Sequence, residues 1–309
     1  MESLLLDRRA RPDWLLVDAI PAGDGWPLRR FRAEPEGAAR GSILFQTGRA
    51  DFFEKYIEAI AHWRGRGWSI EGFDWRGQGG SGRLHDDPRI GHTVSYDVHV
   101  ADLAHYNAAW RERSPGPHIL IGHSMGGHLI LRMLAEKGAV TDAAVLLSPM
   151  LGLNMGPLPE SFARVIARVA CGIGLSGRAV WSEPGLGSGH RQRNLTRSIE
   201  RFEDELYWRS RNEMLDLGPP SWGWIRESLE SIALLKRPGM LERIAVPLLL
   251  LYAEADGLVQ SQATRAAAKR LPNARVLGRL DAAHELLREA DPVRCWAERE
   301  IDSFVETLR

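Results

Sequence analysis

The chain has 309 residues, 44% of them hydrophobic, and carries 40 Lys+Arg against 40 Asp+Glu for a formal net charge of zero. That is ample apolar material for a large core, and the balanced charge offers neither a basic stripe for nucleic acid nor an acidic tail that stays unfolded. Two cysteines, Cys171 and Cys295, stand far apart without a CxxC pair, so neither a disulfide framework nor a zinc site is implied.

The N-terminus has Leu4-Leu5-Leu6 followed at once by Asp7, Arg8 and Arg9. This is too short and too charged for a signal segment or an anchor, and the expectation is a cytoplasmic protein. Residues 13–33 read as two strands joined by the turn-rich Pro21-Ala22-Gly23-Asp24-Gly25, a hairpin. Gly41 to Phe45 is a compact apolar strand, running into Gln46-Thr47-Gly48-Arg49. Phe53, Tyr56, Ile57, Ile60 and Trp63 recur at helical spacing, predicting a helix over 52–64. Ser69 to Phe73 is the next strand, Val98 to Arg111 an amphipathic helix, and His118 to Ile121 a strand. Ala143 to Leu147, Pro247 to Tyr252 and Ala274 to Leu277 complete the strands, and a last helix covers about 291–308. Strands alternating with helices imply a mostly parallel sheet covered on both faces, with chemistry at the carboxyl ends of the strands.

The interval from Leu151 to about Arg243 breaks that alternation, for it holds helical patterns and no convincing strand. Phe162, Val165, Ile166 and Val169 mark one face of a helix over 159–170, and helices are expected over 201–217 and 224–235. The predicted organisation is a core of residues 1–151 and 244–309 with a helical lid, 152–243, inserted between two core strands. Four tryptophans of that interval, Trp181, Trp208, Trp222 and Trp224, read as packing, with an acyl-binding wall as the alternative.

The residues that carry chemistry begin at Gly122-His123-Ser124-Met125-Gly126, a G-x-S-x-G set between an apolar strand and a helix. Such a turn lifts a serine hydroxyl clear of the sheet, and it is so crowded that side chains at Gly122 and Gly126 would collide. The serine needs a base, and the base needs a third group to hold its tautomer. Three histidines follow Ser124: His128, His190 and His284. His128 falls one turn into the elbow helix and His190 in the lid interval, whereas His284 lies in a loop after the last strand. His284 is the predicted base. The acid follows Leu248 to Tyr252, where Asp256 precedes Gly257 and is favoured over Glu254; Asp281 is a weaker rival. For the oxyanion, the backbone N–H of Met125 is one predicted donor and that of Arg49, beside Gly48, the second.

Gly77-Gln78-Gly79-Gly80-Ser81-Gly82 matches G-x-G-x-x-G, but Arg83 to Pro88 reads as loop where a dinucleotide site would start a helix. The expected role is a tight structural loop tied down by Asp74 and Arg76.

Five stretches together resemble the α/β-hydrolase superfamily. They are Thr47-Gly48-Arg49 with Glu54-Lys55-Tyr56, Phe73 through Gly82, Gly122 through Gly127, Ala255-Asp256-Gly257-Leu258-Val259, and His284 through Glu289. The likeness spans about residues 40–290 and is strongest to the lysophospholipase and monoacylglycerol lipase branch, sometimes grouped with serine aminopeptidase-like hydrolases. It implies Ser124 as nucleophile, Asp256 as orienting acid, His284 as base and Arg49 with Met125 at the oxyanion, with no metal or organic cofactor. It also implies a single-chain lipid ester as substrate, a lysophospholipid or monoacylglycerol, and the lid would suit transient contact with a membrane surface. Where many relatives have His-Gly, this chain has Thr47-Gly48, a marker of the bacterial lysophospholipase-like members. The alternatives are a non-lipid esterase or peptidase of the same fold, or a ligand-binding receptor that has kept the fold without turnover.

Overall fold

A computed structural model describes residues 6–138, 140–181 and 189–308, without the side chain of His190. Its centre is one eight-stranded sheet: β1 (Leu15–Pro21), β2 (Pro27–Ala33), β3 (Ser42–Gln46), β4 (Ser69–Phe73), β5 (His118–His123), β6 (Ala143–Leu147), β7 (Leu248–Ala253) and β8 (Ala274–Arg279). Their order across the sheet is β1-β2-β4-β3-β5-β6-β7-β8. The expected hairpin β1–β2 and the β2–β4 pair are antiparallel, and every other neighbouring pair is parallel.

The central parallel strands β3, β5, β6 and β7 are short, largely apolar runs because both of their faces are covered. Alternation sends Leu44, Leu120, Leu146 and Leu250 to one face. Ile43, Phe45, Ile121, Val145 and Leu251 go to the other. The first face is closed by α2 (Tyr96–Arg113), α3 (Met125–Lys137), α7 (Trp222–Leu235) and α8 (Ser261–Ala268). The second is closed by α1 (Ile57–Gly65) and α9 (Asp291–Glu306). The predicted first helix begins with a 3-10 turn, Phe53–Tyr56, before α1. α2 starts two residues earlier than the apolar spacing suggests, because the Ser95 hydroxyl accepts from Asp97 N–H and caps it.

Between β6 and β7 the described chain forms α4 (Glu160–Gly172), α5 (Gly189–Leu195), α6 (Ile199–Arg211) and α7. The apolar stripe of α4 faces outward: Phe162 is 65% and Val165 56% exposed. The buried side is Ala163, Ala167 and Ala170, small residues that let α4 pack closely against α7. The face marked by Phe162 in the sequence is therefore not the one that packs on the fold, because burial selected the alanines. Strand order reverses between β3 and β5, the switch point where ligands bind in open α/β sheets.

Candidate active site

Ser124 stands between β5 and α3 with φ 51° and ψ −114°, a strained conformation for a residue with a side chain. The crowding that enforces glycine is visible in the surroundings. A Cβ on Gly126 would lie 2.6 Å from the carbonyl oxygens of Gln46 and Thr47, and one on Gly122 would lie 2.7 Å from Gly127 N. Ser124 N–H donates to Leu147 O at 2.9 Å, pinning the elbow to β6.

Asp256 and His284 leave the carboxyl ends of β7 and β8 and meet there. His284 Nδ1 is 2.6 Å from Asp256 Oδ2. The other carboxylate oxygen, Oδ1, accepts from Leu258 N–H at 2.8 Å and Val259 N–H at 3.0 Å, so the turn through Gly257 aims the acid. Burial opposes charge on Asp256, but His284 and these donors outweigh it and hold the carboxyl below its ordinary value. Burial likewise opposes charge on His284, and Asp256, then Glu285 and Asp51, raise it above 6.5. The rivals are engaged elsewhere. Glu254 accepts from Tyr252 and Arg265, Asp281 pairs with Arg279 on the surface, and His128 lies 2.6 Å from Ser231 Oγ, buried.

The loop after β3 passes over the elbow so closely that a Cβ on Gly48 would sit 3.1 Å from Ser124 Cβ. Asp51 Oδ2 accepts from Gly48 N–H at 3.1 Å. Gln78 holds the loop from above, donating to Gly48 O at 2.7 Å and accepting from Ala50 N–H at 3.1 Å. The glycine-rich stretch around Gln78 is thus a brace for the loop after β3, and no helix begins there. Asp74 and Arg76 tie it down as expected: Asp74 accepts from Gly80 N–H and Arg29, and Arg76 donates to Asp102 and Asp24. Arg49 sends its guanidinium across to the helical insertion, donating to Gly218 O at 2.6 Å and lying over the Trp224 ring.

Ser124, His284 and Arg49 line one cavity of about 400 Å³. The insertion contributes the apolar Trp181, Leu217, Trp224 and Ile225 and the polar Arg191 and Asn194 to its wall, and Glu285 adds a carboxylate beside His284. Two of the four tryptophans therefore face the cavity; Trp208 instead donates to Arg8 O.

A family model described as serine aminopeptidase, S33 (Hydrolase_4) matches residues 37–291. The chain belongs to this family of α/β hydrolases. Lysophospholipase L2 of Escherichia coli (strain K12) is 30% identical over 309 aligned residues, covering 91% of this chain and 84% of that protein. Among solved structures, a soluble variant of monoglyceride lipase from Saccharomyces cerevisiae, in complex with a substrate analog, superposes with a TM-score of 0.76 at 14% identity. It covers 96% of this chain and 97% of that one. Monoacylglycerol lipase of Paleococcus ferrophilus gives 0.65 at 22% identity, covering 90% and 98%. At these identities the structural likeness speaks for the fold.

The S33 hydrolase also holds residues at the site that pattern reading passed over. His123, the variable residue of the elbow motif, packs its ring 4.8 Å from that of His284 and has Nδ1 3.0 Å from Tyr56 Oη. Asp51 accepts from Tyr56 at 2.9 Å and from Lys55. Burial works against a charge on Asp51, yet Lys55 and His123 keep its carboxyl well below the usual range. Asn154 Nδ2 donates to Asp256 O at 2.8 Å and Val259 O at 3.1 Å, bracing the acid loop from the insertion. No spacing rule links positions this far apart.

Proposed function

We propose that the protein is a serine carboxylic-ester hydrolase that works through an acyl-enzyme on single-chain lipid esters, a lysophospholipid or a monoacylglycerol. His284 takes the proton of Ser124 as its Oγ attacks the ester carbonyl, and Asp256 holds the imidazole with Nε2 toward the serine. Met125 N–H, at the first position of α3, and Arg49 N–H receive the oxyanion. Collapse expels the alcohol with the proton from His284, and water, deprotonated by the same base, then releases the fatty acid. Residues 152–243 act as a lid whose inner tryptophans cover the acyl chain.

The observation that carries this reading is the buried Asp256–His284 pair standing, with the elbow serine, at a cavity to which the lid brings Trp181, Leu217, Trp224 and Ile225. A substrate's free amino end, as a peptidase requires, would need an acidic anchor in the lid. Glu200 and Glu203 instead lie at the surface beside Arg8 and Arg9, and Glu205 is enclosed by cations.

Fatty acid release from matched monoacylglycerol, lysophosphatidylcholine and short nitrophenyl esters tests the proposal, with Ser124→Ala as blank. Release from the lipid esters, lost in the variant together with fluorophosphonate labelling, is the expected result. Turnover of short esters alone would remove the lipid substrate, and a fully active Ser124→Ala would remove the nucleophile. A folded chain that neither turns over nor takes the label would point to the receptor.

A further inference from the structure

Next to the histidine loop lies a cluster of buried charges that the ester-hydrolase scheme leaves unused. Its centre is Glu205 of α6, fully enclosed. Oε1 accepts from Arg191 at 2.5 Å and Arg209 at 3.0 Å, both on the lid. Oε2 lies 3.1 Å from Lys55 Nζ and 3.1 Å from Arg288 Nη1, both on the core. These two core cations continue to the catalytic loops. Lys55 binds Asp51 and, at 2.6 Å, Glu285; Arg288 binds Glu285 at 2.5 Å. Glu285 is the residue after His284. Arg209, one turn beyond Glu205, donates to Ala50 O at 3.1 Å in the oxyanion loop.

The backbone repeats the connection. His284 N–H donates to Asn194 O at 3.3 Å and Glu285 N–H to Leu195 O at 2.8 Å, so the last turn of α5 receives the histidine loop. Thr196 Oγ1 donates to Arg288 O at 2.8 Å. Enclosing one carboxylate among four cations is a poor source of net stability, since desolvation offsets much of the attraction. What such a cluster does supply is a defined arrangement of the loops it joins.

We propose that Glu205 is a positioning residue that fixes the histidine loop through Lys55 and Arg288 and the oxyanion loop through Arg209, so that catalytic geometry is complete only with the lid seated. This rests on His284 being the base. The charged and titratable groups facing His284 are Asp256, Glu285, Asp51 and His123, and those facing Glu205 are Lys55, Arg191, Arg209 and Arg288. Removing the Glu205 charge leaves Lys55 and Arg288 less compensated, which disfavours the His284 imidazolium. Removing the Arg191 charge acts in the opposite sense. A mere packing defect would not give opposed signs.

The test is a set of pH–rate profiles on a soluble nitrophenyl ester for the intact chain, Glu205→Gln, Glu205→Asp, Arg191→Gln and His284→Ala. Glu205→Gln should lower kcat roughly tenfold to a hundredfold, as for a reacting group slightly misplaced, with KM changed far less. Its acidic limb should move to lower pH, Glu205→Asp should restore the limb, and Arg191→Gln should move it to higher pH. A folded Glu205→Gln with an unchanged kcat and limb overturns the proposal. If Glu205→Gln does not fold, Arg191→Gln decides, and an unmoved limb overturns it. An inactive His284→Ala beside a normal Glu205→Gln sinks only the positioning role. A fully active His284→Ala sinks the base assignment and this inference with it.

Discussion

At the scale of single residues, the pair at the site has a measurable signature. As the proposed base, His284 would act only when neutral, so kcat/KM should fall as pH drops through its ionisation. Asp256, joined by Glu285 and Asp51, outweighs burial and raises that ionisation above 6.5, which places the acidic limb above 6.5. A limb below that value would mean that the charge on Asp256 is not felt at the imidazole. Asp256→Asn removes the main raising charge and the acceptor that sets the tautomer. It should cost roughly ten-thousand-fold in kcat, by the general behaviour of Ser-His-Asp sites, and carry any residual limb to lower pH. Near-normal turnover would hand the role to Glu254, which the hydrogen bonds with Tyr252 and Arg265 make the poorer candidate.

Among the elements, the elbow shows how tightly a short motif is tied to its neighbours. The Gln46 and Thr47 carbonyls stand where a Cβ on Gly126 would lie, so Gly126→Ala must push β3 and the loop that follows it away from Ser124. Overpacking of this kind costs about 1–3 kcal/mol. Thermal unfolding should show that loss, and turnover of a short ester should fall further than stability alone explains, because the moved loop carries Arg49. An alanine variant with both properties intact would mean that β3 yields without disturbing the site. Such local rules made much of the architecture legible in advance. Short runs of four to six residues named β3 to β7 within a residue or two, and Ser124, Asp256 and His284 fall after β5, β7 and β8 as those strands implied. The same rules failed where an element is defined by what it touches. α5 has no apolar periodicity and exists by receiving the histidine loop. The role of Glu205 depends on Lys55 and Arg288, which lie 150 and 83 positions away along the chain. On α4, periodicity found the apolar stripe but not the direction it faces.

For the whole molecule, that direction matters most. Phe162, Val165, Ile166, Val169 and Ile173 stand 43–69% exposed on one side of α4. No helix among the described residues is long and apolar enough to cross a membrane. A stripe of this kind is costly to leave in water, and for the lipid substrate proposed above it fits insertion into the headgroup region of a bilayer or micelle. The prediction separates surface binding from chemistry. Val165→Glu with Val169→Glu places two charges in the stripe without touching Ala163, Ala167 or Ala170, the face that packs on α7. Turnover of a soluble nitrophenyl ester should stay within about twofold, since exposed substitutions away from packed features disturb stability little. Co-sedimentation with phosphatidylglycerol vesicles, and turnover of lysophospholipid held in them, should fall by roughly tenfold or more, because the two glutamates replace buried apolar area with charge. Equal loss on both substrates would mean that the stripe acts on lid closure rather than on the lipid surface. Undiminished vesicle binding would show that some other face of the molecule meets the membrane.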